Sequence, residues 1–223
     1  MRLLLLGHGR MGQLVESLAP AHGCQIAGIV TSGGGTDAFG AEADVAIDFS
    51  IGPAVRANVV RLADRKLNVV IGTTGWAEDE AACREIAAKA GIGVIASPNF
   101  ALGMHVFRAA VEHAARLFAA QGDVGAWIHE LHHAAKKDAP SGTALMLQRA
   151  MAARGYSRPI DVSSTRAGAM PGTHVVGFDG PAESVTFSHE VRDRAVFAHG
   201  AIEAAKWLKG RRGWFAMADL VGE

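Results

Sequence analysis

Arg2-Leu3-Leu4-Leu5-Leu6-Gly7-His8-Gly9-Arg10-Met11-Gly12 decides the fold. A compact apolar run leads into a GxGxxG loop, and Met11 to Leu18 continues with a helical period. In a turn of this kind the first glycine permits the tight bend and the second lets backbone approach a pyrophosphate. The third lets helix and strand pack closely, while the helix N-terminus faces the negative charge. Taken alone, the motif also fits a plain strand–helix turn. The chain on its C-terminal side gives it weight.

Short apolar runs recur at Gln25 to Val30, Val45 to Phe49, Asn68 to Ile71 and Gly93 to Ala96, with helical stretches at Pro53 to Arg65 and Glu78 to Ala90. Strands alternating with amphipathic helices predict βαβ units and a parallel sheet buried on both faces. Residues 1–100 therefore read as a doubly wound, Rossmann-type α/β domain that binds a dinucleotide. Three loops fall at carboxyl ends of its strands, where ligands of such sheets bind: Asp48-Phe49-Ser50, Gly72-Thr73-Thr74-Gly75 and Ser97-Pro98-Asn99-Phe100. Each alone is ordinary turn chemistry; three on one edge point to cofactor contacts. The acid expected on the adenosine ribose is missing. Thr31 and Ser32 stand at the end of the second strand, the loop Gly33-Gly34-Gly35 follows at once, and Asp37 comes after it. That absence removes a repulsion against a 2′-phosphate, and Arg10 is near enough in sequence to help bind one. NADH and NADPH both stay open.

Beyond Ala101 the pattern changes. A helix is predicted at Phe107 to Ala120, a strand at Val124 to His132, and a helix at Ser141 to Ala153 closed by Gly155. Asp161 to Arg166, Val175 to Phe178 and Ser184 to Glu190 are three strands with little helix between them. Residues 101–195 thus form a second, α+β domain with an open mixed or antiparallel sheet. Ala201 to Leu208 is helical again and returns to the first domain, which residues 196–223 complete.

Bulk composition narrows the function. The 223 residues are 49% apolar and 20% charged, with 22 basic and 22 acidic side chains balancing to zero. Nothing global attracts nucleic acid or an anionic membrane. No apolar stretch approaches the roughly 20 residues of a membrane span, and the run from Leu3 to Leu6 is too short for a signal peptide. Cys24 and Cys83 lack metal-ligand spacing and read as buried reduced thiols. A cytoplasmic protein is expected.

Glu130-Leu131-His132-His133-Ala134-Ala135-Lys136-Lys137-Asp138-Ala139-Pro140-Ser141-Gly142-Thr143 concentrates the chemistry. His132, His133, Lys136 and Lys137 bring up to four proton-carrying or cationic groups together. Ser141 caps a helix whose first backbone donors, at Gly142 and Thr143, suit a carboxylate. On an extended segment neighbours point to opposite sides, so His132 and His133 cannot share one job, and Glu130 lies on the face of His132. Singly these features are bland: histidine pairs are mostly structural, lysine pairs mostly solvated. Their joint spacing suits a small carboxylated substrate with an atom that gains or loses a proton. Metal binding by His129, His132 and His133 lacks completing partners, so no metal is expected. His105, His174, His189 and His199 read as core or surface residues, while Arg166, Gly168 and the turn Gly172-Thr173-His174 line the substrate pocket.

Together these segments resemble 4-hydroxy-tetrahydrodipicolinate reductases, the dihydrodipicolinate reductases of the diaminopimelate route to lysine. Gly7 to Gly12, Asp48 to Ser50, Gly72 to Gly75, Ser97 to Gly103, Glu130 to Thr143 and Phe197 to Ile202 carry the likeness, which spans nearly the whole chain. The short loop after the second strand and the missing ribose acid depart from it. The resemblance implies an NAD(P)H-dependent oxidoreductase in which His132 and Lys136 do acid–base work. His133, Ser141, Gly142 and Thr143 would bind substrate. Gly7, His8, Gly9, Arg10, Met11, Gly12 and Thr31 would contact the cofactor, with Gly72, Thr73, Thr74, Ser97, Pro98, Asn99 and Phe100. It also implies a homotetramer built through the second-domain sheet, and a heterocyclic dicarboxylate as substrate. Hydride addition to a conjugated imine creates an enamine that must be protonated at carbon. An imidazole near neutrality suits that step, and the residues do not choose between His132 and Lys136. Two rivals are an aspartate-type two-domain dehydrogenase and a non-catalytic NAD(H)-binding redox sensor. The first needs a different substrate loop; the second needs a DNA-contacting helix or a basic stripe, and the sequence shows neither, its only basic cluster, Lys209-Gly210-Arg211-Arg212, being short.

Overall fold

The computed structural model describes residues 1–31 and 36–222. Ser32, the loop at Gly33, Gly34 and Gly35, and the side chain of Asp37 lie outside the described residues. The chain forms two compact units, Met1–Leu102 with Ala195–Glu223, and Gly103–Arg194. Among the described residues no helix is long and apolar enough to cross a membrane.

In the first unit six strands form one sheet: β1 (Arg2–Leu6), β2 (Gln25–Val30), β3 (Val45–Asp48), β4 (Asn68–Ile71), β5 (Gly93–Ala96) and β10 (Gly213–Phe215). Their order is β10-β5-β4-β3-β1-β2 and every pair is parallel. Alternate side chains go to opposite faces, and both faces are covered. Leu3, Leu5, Ile47, Val70 and Ile95 pack with Val15 of α1 (Arg10–Leu18) and with Ala201, Ile202 and Ala205 of α6 (Ala195–Leu208). Leu4, Leu6, Val69 and Ile71 pack on the other side with Val59 and Leu62 of α2 (Val55–Asp64) and Ala87 of α3 (Glu80–Ala90). Each such leucine, at most 1% exposed, contributes about 1.5–3 kcal/mol of burial. The four-leucine run is continuous for this reason: no face of β1 meets water. The strand order reverses between β1 and β3, which opens a crevice at their carboxyl ends.

Element ends shift where side chains outside the periodic run take part. α6 starts at Ala195 rather than Ala201, because Ala198 and Gly200 already belong to its buried stripe. Gly200 passes so close to the Phe100 carbonyl that an added Cβ would overlap it. The stretch predicted as a helix from Pro53 opens as a 3-10 turn, Gly52–Ala54, before α2. β10 and α7 (Met217–Val221) gave no periodic signal at three and five residues. β10 is held by its parallel ladder with β5.

The second unit contains α4 (Leu102–Phe118), β6 (Gly125–His132), α5 (Gly142–Ala153), β7 (Ile160–Arg166), β8 (Thr173–Asp179) and β9 (Ser184–Glu190). α4 begins five residues before Phe107, since Met104 extends the stripe Phe107, Val111 and Ala115 by one turn. The sheet runs β7-β6-β8-β9, with β6 and β7 parallel and the other pairs antiparallel, so it is mixed. Ala126, Ile128, Glu130 and His132 alternate inward along β6, while Trp127, His129 and Leu131 are half-buried on the opposite face. Inside, Phe178 stacks on Phe118 at 4.8 Å and meets Tyr156 edge-on at 5.9 Å.

Candidate active site

The loop after β1 is shaped for an anion. Gly7 holds φ +89°, and a Cβ on it would come within 2.8 Å of the Ser50 Cα. A Cβ on Gly12 would overlap the Gly7 carbonyl, so helix and loop touch as the motif demands. Gly9 caps α1 without a side-chain hydrogen bond, and nothing lies within 4 Å of where its Cβ would be. Unfilled space in front of uncapped helix amides fits the pyrophosphate of a dinucleotide. Gly7, His8, Gly9 and Thr31 line a cavity of about 630 Å³ there, with Ser50 and Asn58 across it. His8 is held along α1 by Glu16 at 2.6 Å.

Asp48, fully buried, ties the neighbouring loops together. Its Oδ1 accepts from the Ser50 amide at 2.8 Å and the Thr73 hydroxyl at 2.9 Å, and its Oδ2 accepts from Asn58 at 2.9 Å. The Thr73 hydroxyl is thereby engaged inside the protein. Gly72 leaves room for the Phe49 ring. Thr73, Thr74, Ser97 and Pro98 line a separate cavity of about 380 Å³ with Trp76 and Trp214. Asn99 staples its own loop, its Oδ1 accepting from the Ala101 amide at 2.8 Å. Three expected cofactor residues sit differently. The Phe100 side chain is buried in the core against Phe49, which leaves only its backbone for a ligand. Met11 packs on the same core. Arg10 is exposed and lines neither cavity.

In the second unit the strand register assembles an acid–base cluster. His132 stands opposite Arg166 of β7, and Glu130 stands between Ser164 of β7 and His174 of β8. Glu130 has no exposed surface. Its Oε2 takes a very short hydrogen bond from His132 Nδ1, and its two oxygens receive Arg166 at 3.0 and 2.6 Å. The Ser141 amide adds a bond at 3.1 Å. Burial pushes the Glu130 carboxyl up, but hydrogen bonds from Arg166, Ser164, His132 and Ser141 outweigh it and bring it down to about 2. Glu130 is therefore an anion at any working pH, and it keeps the His132 proton on Nδ1. Nε2 points the other way, toward Gly172, where a Cβ would lie 2.9 Å away.

Ser141 joins this cluster to the helix start. Its Oγ accepts from the Ala144 amide at 3.2 Å and bonds His174 Nε2 at 3.1 Å. Gly142 is exposed, with nothing within 4 Å of an added Cβ, and Thr143 follows half-buried. Asp138 lies beside them. The Lys136 ammonium grips its oxygens at 2.8 and 2.9 Å and lowers its carboxyl, with help from the Gly142 amide. His133, half-buried beyond the strand end, donates its amide to Met170 at 2.9 Å.

The sequence underrated three members. Arg166 is the clamp on Glu130, yet it lies 36 positions away and only register brings it near. His174 is buried as a core histidine should be, but it also braces Ser141 and meets the His132 ring edge-on at 5.2 Å. Burial first, then the neighbouring His132, pushes His174 down to about 4, so it is neutral at pH 7. Asp138 as the partner of Lys136 had no periodic signal. Glu130, His132 and His174 each bring one ligand atom within 4.8 Å of the others. That trio differs from the one considered on sequence, and Arg166 already supplies the positive charge on both Glu130 oxygens.

Comparison with known proteins gives a consistent result. Residues 1–100 match the family model for the N-terminus of dihydrodipicolinate reductase, and residues 103–221 match the model for its C-terminus. The chain is 33% identical over 235 residues to the 4-hydroxy-tetrahydrodipicolinate reductase of Christiangramia forsetii, covering 100% of this chain and 98% of that one. It is 37% identical over 268 residues to the enzyme of the same name from Bradyrhizobium diazoefficiens, covering 100% and 97%. A solved dipicolinate-bound dihydrodipicolinate reductase from Paenisporosarcina sp. TG-14 shares its fold, with TM-score 0.83 over 97% of each chain at 21% identity.

Proposed function

The chain belongs to the dihydrodipicolinate reductase family, and from that membership we propose how its residues act. It is an NAD(P)H-dependent reductase that converts 4-hydroxy-tetrahydrodipicolinate to tetrahydrodipicolinate with loss of water, in the diaminopimelate route to lysine. The observation that carries the residue roles is the Glu130–His132 pair, clamped by Arg166 and joined through Ser141 to an open helix start.

A bound reduced nicotinamide supplies a hydride from its C4. Gly7 to Gly12 hold the pyrophosphate, Thr31 the ribose side, and the loops Gly72 to Thr74 and Ser97 to Phe100 the remainder, Phe100 through its backbone. Loss of the 4-hydroxyl leaves a conjugated C=C–C=N; hydride at ring C4 pushes the electron pair toward nitrogen, and the resulting enamine takes a proton at carbon. His132 Nε2 is favoured as donor, since Glu130 fixes the other nitrogen and stabilises the charged ring. Lys136, braced by Asp138, offers a cation to the substrate. The amides of Gly142 and Thr143 hold a carboxylate, with Ser141 and His133 at its margins; amide bonds to a charged group contribute about 1.5–3 kcal/mol each.

The same reading extends to assembly and location. A homotetramer through the second-unit sheet is supported by the row Trp127, His129 and Leu131, which stays half-buried on the face opposite Ile128 and Glu130. Zero net charge favours a small-molecule partner over nucleic acid. The buried thiols of Cys24 and Cys83 suit the reducing cytoplasm. The test of function is direct. Purified chain is mixed with NADH or NADPH and the fresh condensation product of pyruvate and aspartate semialdehyde, and the nicotinamide absorbance is followed. A decay that needs both chain and condensation product supports the reading; an unchanged trace with either cofactor overturns it.

A further inference from the structure

The ribose end of the nucleotide cavity holds a cation the sequence did not single out. Beyond Thr31 the wall is completed by Phe39 and Arg61. Phe39 is 5% exposed and is rooted in the core with Leu4, Leu6, Val59 and Leu62, so it is a fixed platform. The Arg61 guanidinium carbon lies 3.7 Å from the centroid of that ring. Stacking occupies one face of the guanidinium and leaves the hydrogen-bonding edge for a ligand. The neighbouring arginines are already committed: Arg56 pairs with Asp79 at 3.3 Å, and Arg65 donates to the Ala41 carbonyl at 2.6 Å. Arg61 is exposed and, among the described residues, pairs with no carboxylate. Among the described residues no aspartate or glutamate lines this cavity either.

We propose that Arg61, stacked on Phe39, receives the 2′-phosphate of NADPH and makes this protein prefer NADPH over NADH. The inference deepens the reductase reading and rests on it for the choice of cofactor class. A planar fork with its face pinned and its edge unpaired among the described residues matches two phosphate oxygens at once, whereas the 2′-hydroxyl of NADH offers no charge to meet it. The position usually held by a ribose-binding acid is Thr31, which does not repel the phosphate. Arg10, suggested by proximity in sequence, does not reach this wall.

The test measures cofactor binding without the dicarboxylate substrate, so it stands apart from turnover. Nicotinamide fluorescence gives Kd for NADPH and NADH with the full chain, and with Arg61→Ala and Arg61→Lys. The natural chain is expected to bind NADPH at least about tenfold more tightly than NADH. Arg61→Ala weakens NADPH by about 10- to 100-fold and leaves NADH within about twofold, and Arg61→Lys recovers part of the loss. Equal affinity for both cofactors in the natural chain overturns the assignment. So does equal weakening of both by Arg61→Ala, which would make Arg61 a support for adenine. If the condensation product is never reduced while the binding split persists, the reductase reading fails and the phosphate assignment survives.

Discussion

Replacing Glu130 by glutamine removes one negative charge and almost no volume, and the amide oxygen can still accept from the Ser141 amide. What disappears is the anion shared by His132 and Arg166. The drop of the Glu130 carboxyl from 4.5 to about 2 corresponds to about 3 kcal/mol in favour of the folded, ionised state. Breaking a buried pair by removing one partner costs roughly 3–5 kcal/mol in general, so the two figures agree. A carboxyl whose folded pKa is depressed stabilises above its unfolded value, near 4.5, and that contribution fades as pH falls through about 2. Urea unfolding of natural chain and Glu130→Gln should therefore differ by about 3 kcal/mol at pH 7, and by less than half of that at pH 3. Turnover at pH 7 should fall by at least about a hundredfold, because His132 loses both its tautomer lock and its counter-charge. Affinity for pyridine-2,6-dicarboxylate should stay within about threefold. A stability gap that is the same at both pH values, or unchanged kcat, refutes the clamp.

Two further substitutions probe other parts of the structure. Gly142→Val adds a side chain where nothing lies within 4 Å, so stability should change by no more than about 0.5 kcal/mol. KM for the dicarboxylate should rise about tenfold or more with little change in kcat, and retained affinity removes the helix start from substrate binding. Gly200→Ala drives a methyl into the Phe100 carbonyl, a backbone clash that costs about 1–3 kcal/mol or more. A chain that melts at the natural temperature contradicts the tight packing of α6.

Much of the first unit was legible because its strands are buried on both faces and its helices on one, so period alone separates Leu3–Leu6 from Arg10–Leu18. The loop from Gly7 to Gly12 followed from the same alternation. In the second unit, period-two spacing placed Glu130 beside His132, and capping chemistry placed Ser141 at the start of α5, where its Oγ accepts from Ala144. The missing pieces depend on long-range geometry. Arg166 and His174 reach Glu130 and Ser141 only through the registers of β7 and β8 with β6, and no local pattern encodes a register across 36 or 33 residues. Lys136 closes on Asp138 through a loop whose shape the sequence does not state. Arg61 escaped notice for a similar reason: it sits on α2, and its surroundings depend on Phe39 arriving from the 3-10 turn Thr36–Gly40 after β2. β10 is three residues long and exists only because β5 offers it a free edge.

The proposed role of His132 as proton donor is most directly tested by kcat for His132→Gln with NADPH and fresh condensation product, alongside the Kd of pyridine-2,6-dicarboxylate. A fall in kcat of about 10²- to 10⁴-fold with analogue binding held within about threefold is expected. Turnover at the natural rate would contradict the account.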